Sequence, residues 1–192
     1  MFPLTSQAPQ KRIESEYYVE GYATTFNDPY LLWEYDGIKY YEVIDRNALA
    51  EADMGDVIMQ YDHQGKVLAR LSNNTLGLEP NDKGLFIFAD LSKSEASREM
   101  HGEIDSGLVN KMSWAFTVAE DKYNQETRTR TITKIKKVYD VSAVSIPANG
   151  DTNISARSFC EGVIAKEMQE LQERNKALAI LEFERERGKI WK

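Results

Sequence analysis

Lys137-Val138-Tyr139-Asp140-Val141-Ser142-Ala143-Val144-Ser145-Ile146 is rich in β-branched residues and is followed by Pro147, which has no amide hydrogen to offer a ladder. It reads as the last strand of a domain. Upstream, Met112-Ser113-Trp114-Ala115-Phe116-Thr117-Val118 alternates as a strand does, and Thr127-Arg128-Thr129-Arg130-Thr131-Ile132-Thr133-Lys134 is placed to return antiparallel to it. Residues 94–105 read as a helix, with Ser94 as cap, Ala96, Met100 and Ile104 on one face, and Gly107 near the end. Before it, residues 67–71, 75–79 and 84–89 form short strands, separated by turn chemistry at Ser72-Asn73-Asn74 and Pro80-Asn81-Asp82-Lys83-Gly84.

Further back, Val57-Ile58-Met59-Gln60-Tyr61 is an apolar run suited to a buried strand, and Asp45 stands as N-cap of a short helix over 45–52. Residues 39–44 and 17–23 complete the strands, with a turn at Thr25-Phe26-Asn27-Asp28-Pro29. Residues 1–15 are polar, contain Pro3 and Pro9, and read as a flexible lead-in. Short strands with two helical interruptions predict an α+β fold, a small antiparallel β-barrel with flanking helices.

The composition shifts after Thr152. Residues 158–187 read as a charged helix in which Ile164, Met168, Leu171, Asn175 and Leu178 are spaced 4, 3, 4 and 3. The first reading of that seam is a helix packed on the barrel, and the second is a coiled-coil surface for a partner. The expected organisation is therefore a lead-in (1–15), a main domain (16–155) and a C-terminal helical extension (156–192).

Composition narrows the function classes. With 192 residues, 42% of them hydrophobic, the chain has enough material for one domain and an appendage. Its 31 acidic residues against 24 basic give a net charge of −7, so neither nucleic acid nor an anionic membrane is an expected partner. Cys160 has no second cysteine to pair with, and one cysteine with two histidines argues against a zinc site. No metal or organic cofactor is expected. The first residues lack the pattern of a signal peptide and no segment approaches ~20 apolar residues, so a soluble protein of a reducing compartment is the expectation.

Any histidine-based proton transfer must use His63 or His101. His63 follows an apolar strand in Tyr61-Asp62-His63-Gln64-Gly65, where rigid backbone holds a side chain that still faces a cleft, whereas His101 lies in the middle of a helix. A serine hydroxyl attacks a carbonyl only when a neighbouring base takes its proton, and Ser113, at the start of an apolar strand between Met112 and Trp114, is pinned on a stiff element. No Gly-x-Ser-x-Gly pattern marks it. A carboxylate on the second ring nitrogen would fix the imidazole tautomer, and Asp140 at its strand is the candidate; Asp62 is disfavoured because neighbouring strand residues point to opposite faces. Arg70, Arg128 and Arg130 are candidates for stabilising a developing oxyanion. Each of these residues also has an ordinary reading, as a surface or core histidine, a strand serine and a solvated acid.

Taken together, Gly21-Tyr22-Ala23-Thr24-Thr25-Phe26-Asn27, Glu42-Val43-Ile44, Tyr61-Asp62-His63 with Leu68-Ala69-Arg70, Leu76-Gly77-Leu78, Lys111-Met112-Ser113-Trp114-Ala115-Phe116 and Tyr139-Asp140-Val141-Ser142-Ala143-Val144-Ser145-Ile146-Pro147-Ala148 resemble the prohead proteases of tailed bacteriophages in order and spacing. The resemblance covers about residues 17–155. It implies His63 as general base, Ser113 as nucleophile and Asp140 as the orienting acid. Trp114-Ala115-Phe116 stands where many relatives have a smaller residue or glycine, and Asp140 where glutamate is frequent. The family is similar in fold to herpesvirus assembly proteases, which implies a closed barrel ringed by helices. Their third catalytic residue is a second histidine, which keeps His101 in reserve.

The function implied is a serine endopeptidase acting in the host cytoplasm, inside the phage procapsid. It would cleave scaffold protein or the scaffolding extension of the major capsid protein, and then itself. The C-terminal helix would serve self-association or docking to scaffold. The rival reading is a catalytically inactive capsid or scaffold component on the same barrel, and a ligand-binding β-barrel ranks last.

Overall fold

The structure is a computed structural model that describes residues 12–145 and 162–180, apart from 164, 171 and 179. Among the described residues the strands are β1 (Tyr18–Thr25), β2 (Tyr30–Tyr35), β3 (Ile38–Ile44), β4 (Ile58–Tyr61), β5 (Gln64–Arg70), β6 (Leu76–Pro80), β7 (Gly84–Asp90), β8 (Lys111–Asn124) and β9 (Thr129–Val144). One helix, α1 (Glu95–Asp105), interrupts them, and a single 3-10 turn occupies Leu71–Asn73. The fold is α+β.

The strand expected over 127–134 and the one expected over 137–146 are one continuous strand, β9, 16 residues long. β8 runs antiparallel along one edge of it. Along the other edge β3 pairs in parallel with its first residues and β4 in parallel with Asp140, Val141, Ser142 and Ala143. A bridge from Asp53 to Lys137 fills the gap between them. The six-stranded sheet thus has the order β2-β3-β9-β4-β5, with β8 on β9, and a separate three-stranded sheet has the order β1-β7-β6. The expected closed, wholly antiparallel barrel does not describe these pairings. The ladders form two sheets with no hydrogen-bonded closure among the described strands, and two of the pairs on β9 are parallel.

The helix expected over 45–52 does not form. Asp45 N–H is bonded to Ile132 O, Ala48 O accepts from Ile135 N–H at 2.8 Å, and Asp53 N–H donates to Lys136 O, so the segment is tied to β9 at both ends and in the middle. A carbonyl committed to a neighbouring strand is lost to an i→i+4 ladder, and only three-residue turn bonds remain, such as Ala48 N–H to Asp45 O. By contrast, α1 forms as its sequence predicts, with Ser94 Oγ accepting from Ser97 N–H and Met100 and Ile104 buried.

β2 is the strand that the sequence reading passed over. Asp36 and Gly37 have φ of 49° and 74°, the left-handed pair that a two-residue hairpin turn requires, and they join β2 to β3. The core draws on nearly every strand, including Val19, Ile44, Met59, Leu85, Ile87, Ile132, Ile135, Val138 and Val141. β9 is paired along both edges, and the candidate site is built at its C-terminal end.

The chain divides into two compact units, Met1–Thr152 and Asn153–Lys192. In the second, the described residues from 162 to 180 are helical, and Met168, Asn175 and Leu178 are exposed. Ile164 and Leu171 of the expected seam, the ends of the expected helix, Cys160, residues 1–11 and the Ile146-Pro147-Ala148 step lie outside the described residues. No described helix is long and apolar enough to cross a membrane.

Candidate active site

The site begins with a tight turn. β4 and β5 are joined by Asp62 and His63 alone, with Tyr61 paired to Gln64 across the turn. Both residues have positive φ, 46° and 59°, the backbone of a type I′ hairpin. Asp and His tolerate this conformation better than most L residues, which explains why a non-glycine pair can stand here. His63 therefore lies in the hairpin turn itself rather than at the end of a straight strand.

The ring of His63 turns back toward β9, where its Nδ1 meets Asp140 Oδ1 at 2.7 Å. The same Oδ1 accepts from Ser142 Oγ at 2.7 Å. Asp140 and Ser142 are two residues apart on one strand and so share a face, and Ser142 is fully buried. The Asp140 side chain is 9% exposed and that of His63 22%, so the carboxylate is sheltered while the imidazole keeps access to solvent. With Nδ1 carrying the proton toward the acid, Nε2 is left as the acceptor.

Ser113 stands on β8 directly opposite Ser142 of β9. Opposite residues of an antiparallel pair share a face with Cβ atoms ~4.5–5.5 Å apart, so Ser113 joins Ser142 and Asp140 on one surface of the sheet. It is 8% exposed. Ser113, Asp140 and His63 are thus carried by β8, β9 and the β4–β5 turn, three consecutive supports in the sheet. Among the described residues the hydrogen bond of His63 is to Asp140, and none joins it to Ser113.

The other sequence candidates fall elsewhere. His101 is on α1 and packs edge-on against Tyr17, with ring centroids 5.3 Å apart. Asp62 does not orient His63; its carboxylate accepts from Ser145 N–H at 3.0 Å and from Ser145 Oγ at 2.9 Å. Arg70 pairs with Asp56, whereas Arg130 is at the opposite end of β9 from Asp140 and is committed to Glu42 and Asp121. Arg128 precedes β9 at that same far end. Two participants were missed from sequence, Ser142 and Ser145. Ser142 was legible, since a serine two residues after a strand carboxylate must share its face. No three His, Cys, Asp or Glu side chains converge as a metal site would need among the described residues.

That arrangement, a serine, a histidine and a carboxylate gathered from distant parts of the chain onto one side of a sheet, has the composition of the serine-hydrolase class. The chain belongs to the caudovirus prohead serine protease family, whose profile matches residues 5–172. It is also similar to the prohead protease of Enterobacteria phage HK97, with 27% identity over 145 residues, which are 75% of this chain and 61% of that relative. The chain therefore spans less than two thirds of the length of the curated relative it matches. No solved structure matches it.

Proposed function

We propose that this chain is a serine endopeptidase in which Ser113 is the nucleophile, His63 the general base and Asp140 the acid that orients it. The observation that carries the reading is the 2.7 Å contact of His63 Nδ1 with a sheltered Asp140, beside a serine on the adjoining strand. Asp140 holds the ring with its Nδ1 protonated and stabilises the imidazolium once it forms. His63 Nε2 takes the proton from Ser113 Oγ as that oxygen attacks the scissile carbonyl, then returns it to the departing amine. Water repeats the cycle on the acyl-enzyme and restores the serine. Closing the Ser113–Nε2 distance on substrate binding is ordinary for such sites, whose hydrogen bonds are often long in the free enzyme.

Family membership and the name of the curated relative support a role at the prohead. We assign the chain to cleavage of scaffold protein, or of the scaffolding extension of the major capsid protein, inside the procapsid during maturation, with self-cleavage to follow. The C-terminal unit Asn153–Lys192 is assigned to docking on scaffold rather than to chemistry, since Ser113, His63 and Asp140 all lie in Met1–Thr152.

Purified variants test the reading. Ser113→Ala and His63→Ala should each lower cleavage of scaffold by at least about 10³-fold, and the double variant should be no worse, because the two groups act as one unit. Thermal stability of Ser113→Ala should stay within about 1 kcal/mol of the parent. Undiminished cleavage by Ser113→Ala would refute the assignment of Ser113, whereas no cleavage by the purified parent would favour the inactive assembly component.

A further inference from the structure

The turn that carries His63 is held from outside itself. Its two residues both occupy the left-handed region without a glycine between them, and the β4–β5 ladder shifts register between Met59 and Tyr61, next to the turn. What fixes the turn lies at the C-terminal end of β9 and on the residue after it. Asp62 N–H donates to Ala143 O at 2.9 Å, Asp62 Oδ1 accepts from Ser145 N–H at 3.0 Å, and Asp62 Oδ2 accepts from Ser145 Oγ–H at 2.9 Å. Both carboxylate oxygens are used, and both grip the residue just beyond the end of β9. An ionised acceptor makes such bonds stronger than neutral ones.

We infer that Asp62 is a positioning residue for the base, a two-pronged clamp that references the His63 turn to the strand carrying Asp140. The inference rests on the proteolytic reading proposed above. Its geometric logic is that β9 and the residue directly after it supply both contacts: Asp140 receives the ring, and Ala143 and Ser145 receive the turn. One stiff element then sets the ring-to-acid distance, and a shift of about 1 Å in such a base is enough to cost on the order of 10²-fold in rate. Aspartate is also a favoured residue at the first turn position, which accounts for its side-chain type but not for the two bonds to Ser145.

Three variants separate the clamp from the turn preference. Asp62→Gly suits the turn backbone better than the parent but has no clamp. Asp62→Asn keeps an acceptor for Ser145 N–H and a donor for Ser145 Oγ, and it also tolerates positive φ. Ser145→Ala removes one prong. The clamp predicts that Asp62→Gly lowers kcat by about 10- to 100-fold with KM within about twofold. Asp62→Asn should recover kcat to within about threefold, and Ser145→Ala should fall between them.

A second readout needs no turnover. The low-field proton signal of the His63 Nδ1–H, assigned by its absence in His63→Gln, should persist in Asp62→Asn and broaden or vanish in Asp62→Gly. Retention of both the signal and kcat in Asp62→Gly would overturn the clamp. Loss of the signal in Asp62→Gly from a parent that cleaves nothing would uphold the clamp while sinking the protease reading. Should Asp62→Gly fail to fold, an unchanged signal and kcat in Ser145→Ala would overturn it instead.

Discussion

The two ends of β9 bury carboxylates in different company. At the start of the strand Glu42 is 2% exposed and accepts from Tyr30 Oη–H and from Arg130 Nη1 at 3.2 Å, while Arg130 Nε donates to Asp121 at 2.8 Å. The Tyr30 ring is partly exposed but its hydroxyl points inward, and burial and the Glu42 charge push that hydroxyl well above its ordinary range. Every charge there is matched by a fixed opposite charge or a hydroxyl. At the other end Asp140 meets Ser142 and the imidazole of His63, which keeps solvent access. A buried carboxylate alone is therefore no mark of chemistry. What separates the ends is whether its partner can give and take a proton and can reach a substrate.

The contrast predicts opposite signatures for the partners of the two carboxylates. Asp140→Asn should cut the rate by about 10²-fold, at least tenfold less than Ser113→Ala, because the base survives in a poorer orientation. Its unfolding free energy should change little, as read from urea titrations. Arg130→Met should do the reverse, lowering stability by about 3–5 kcal/mol because Glu42 and Asp121 lose their shared cation. Its rate per folded molecule should stay within about twofold of the parent. A rate collapse in Arg130→Met with stability intact would mean that the two ends are functionally joined.

The smallest effect is a pH slope. Burial raises the Glu42 carboxyl above its ordinary range, against the opposing pull of Tyr30 and Arg130. A carboxyl raised on folding holds its proton more tightly folded than unfolded. Its stabilising contribution is full below the unfolded value of about 4.3 and is lost as pH rises through the folded value. Glu42→Gln has no such loss, so its stability relative to the parent should improve as pH rises across that window. A flat or falling difference in urea titrations would show that the Arg130 pairing outweighs burial.

How far these ends could be read from sequence differs in the same way. Local signals located most strands and the Ser94 cap, because alternation and capping are properties of short segments, whereas His63, Ser113 and Asp140 were given their roles through the family resemblance. The Asp36-Gly37 hairpin was equally local and was passed over because Tyr30–Tyr35 is an edge strand with only Leu32 buried. Tertiary pairing decided the rest. The helix expected at 45–52 gave way to bonds with β9, and the parallel pairing of β3 and β4 along one strand has no signature in any window of sequence. Asp62 reaching Ser145 and Arg130 reaching Glu42 are likewise contacts between distant segments, visible only once β9 is seen as one strand.

The central claim is that Ser113 is a nucleophile activated by His63. Its most direct test is labelling of the intact protein with a fluorophosphonate, which reacts with activated serine hydroxyls, followed by peptide mapping by mass spectrometry. The account predicts one modified residue, Ser113, with labelling slowed by at least about 10²-fold in His63→Ala. Modification of a different serine, or equal labelling of Ser113 with and without His63, would contradict it.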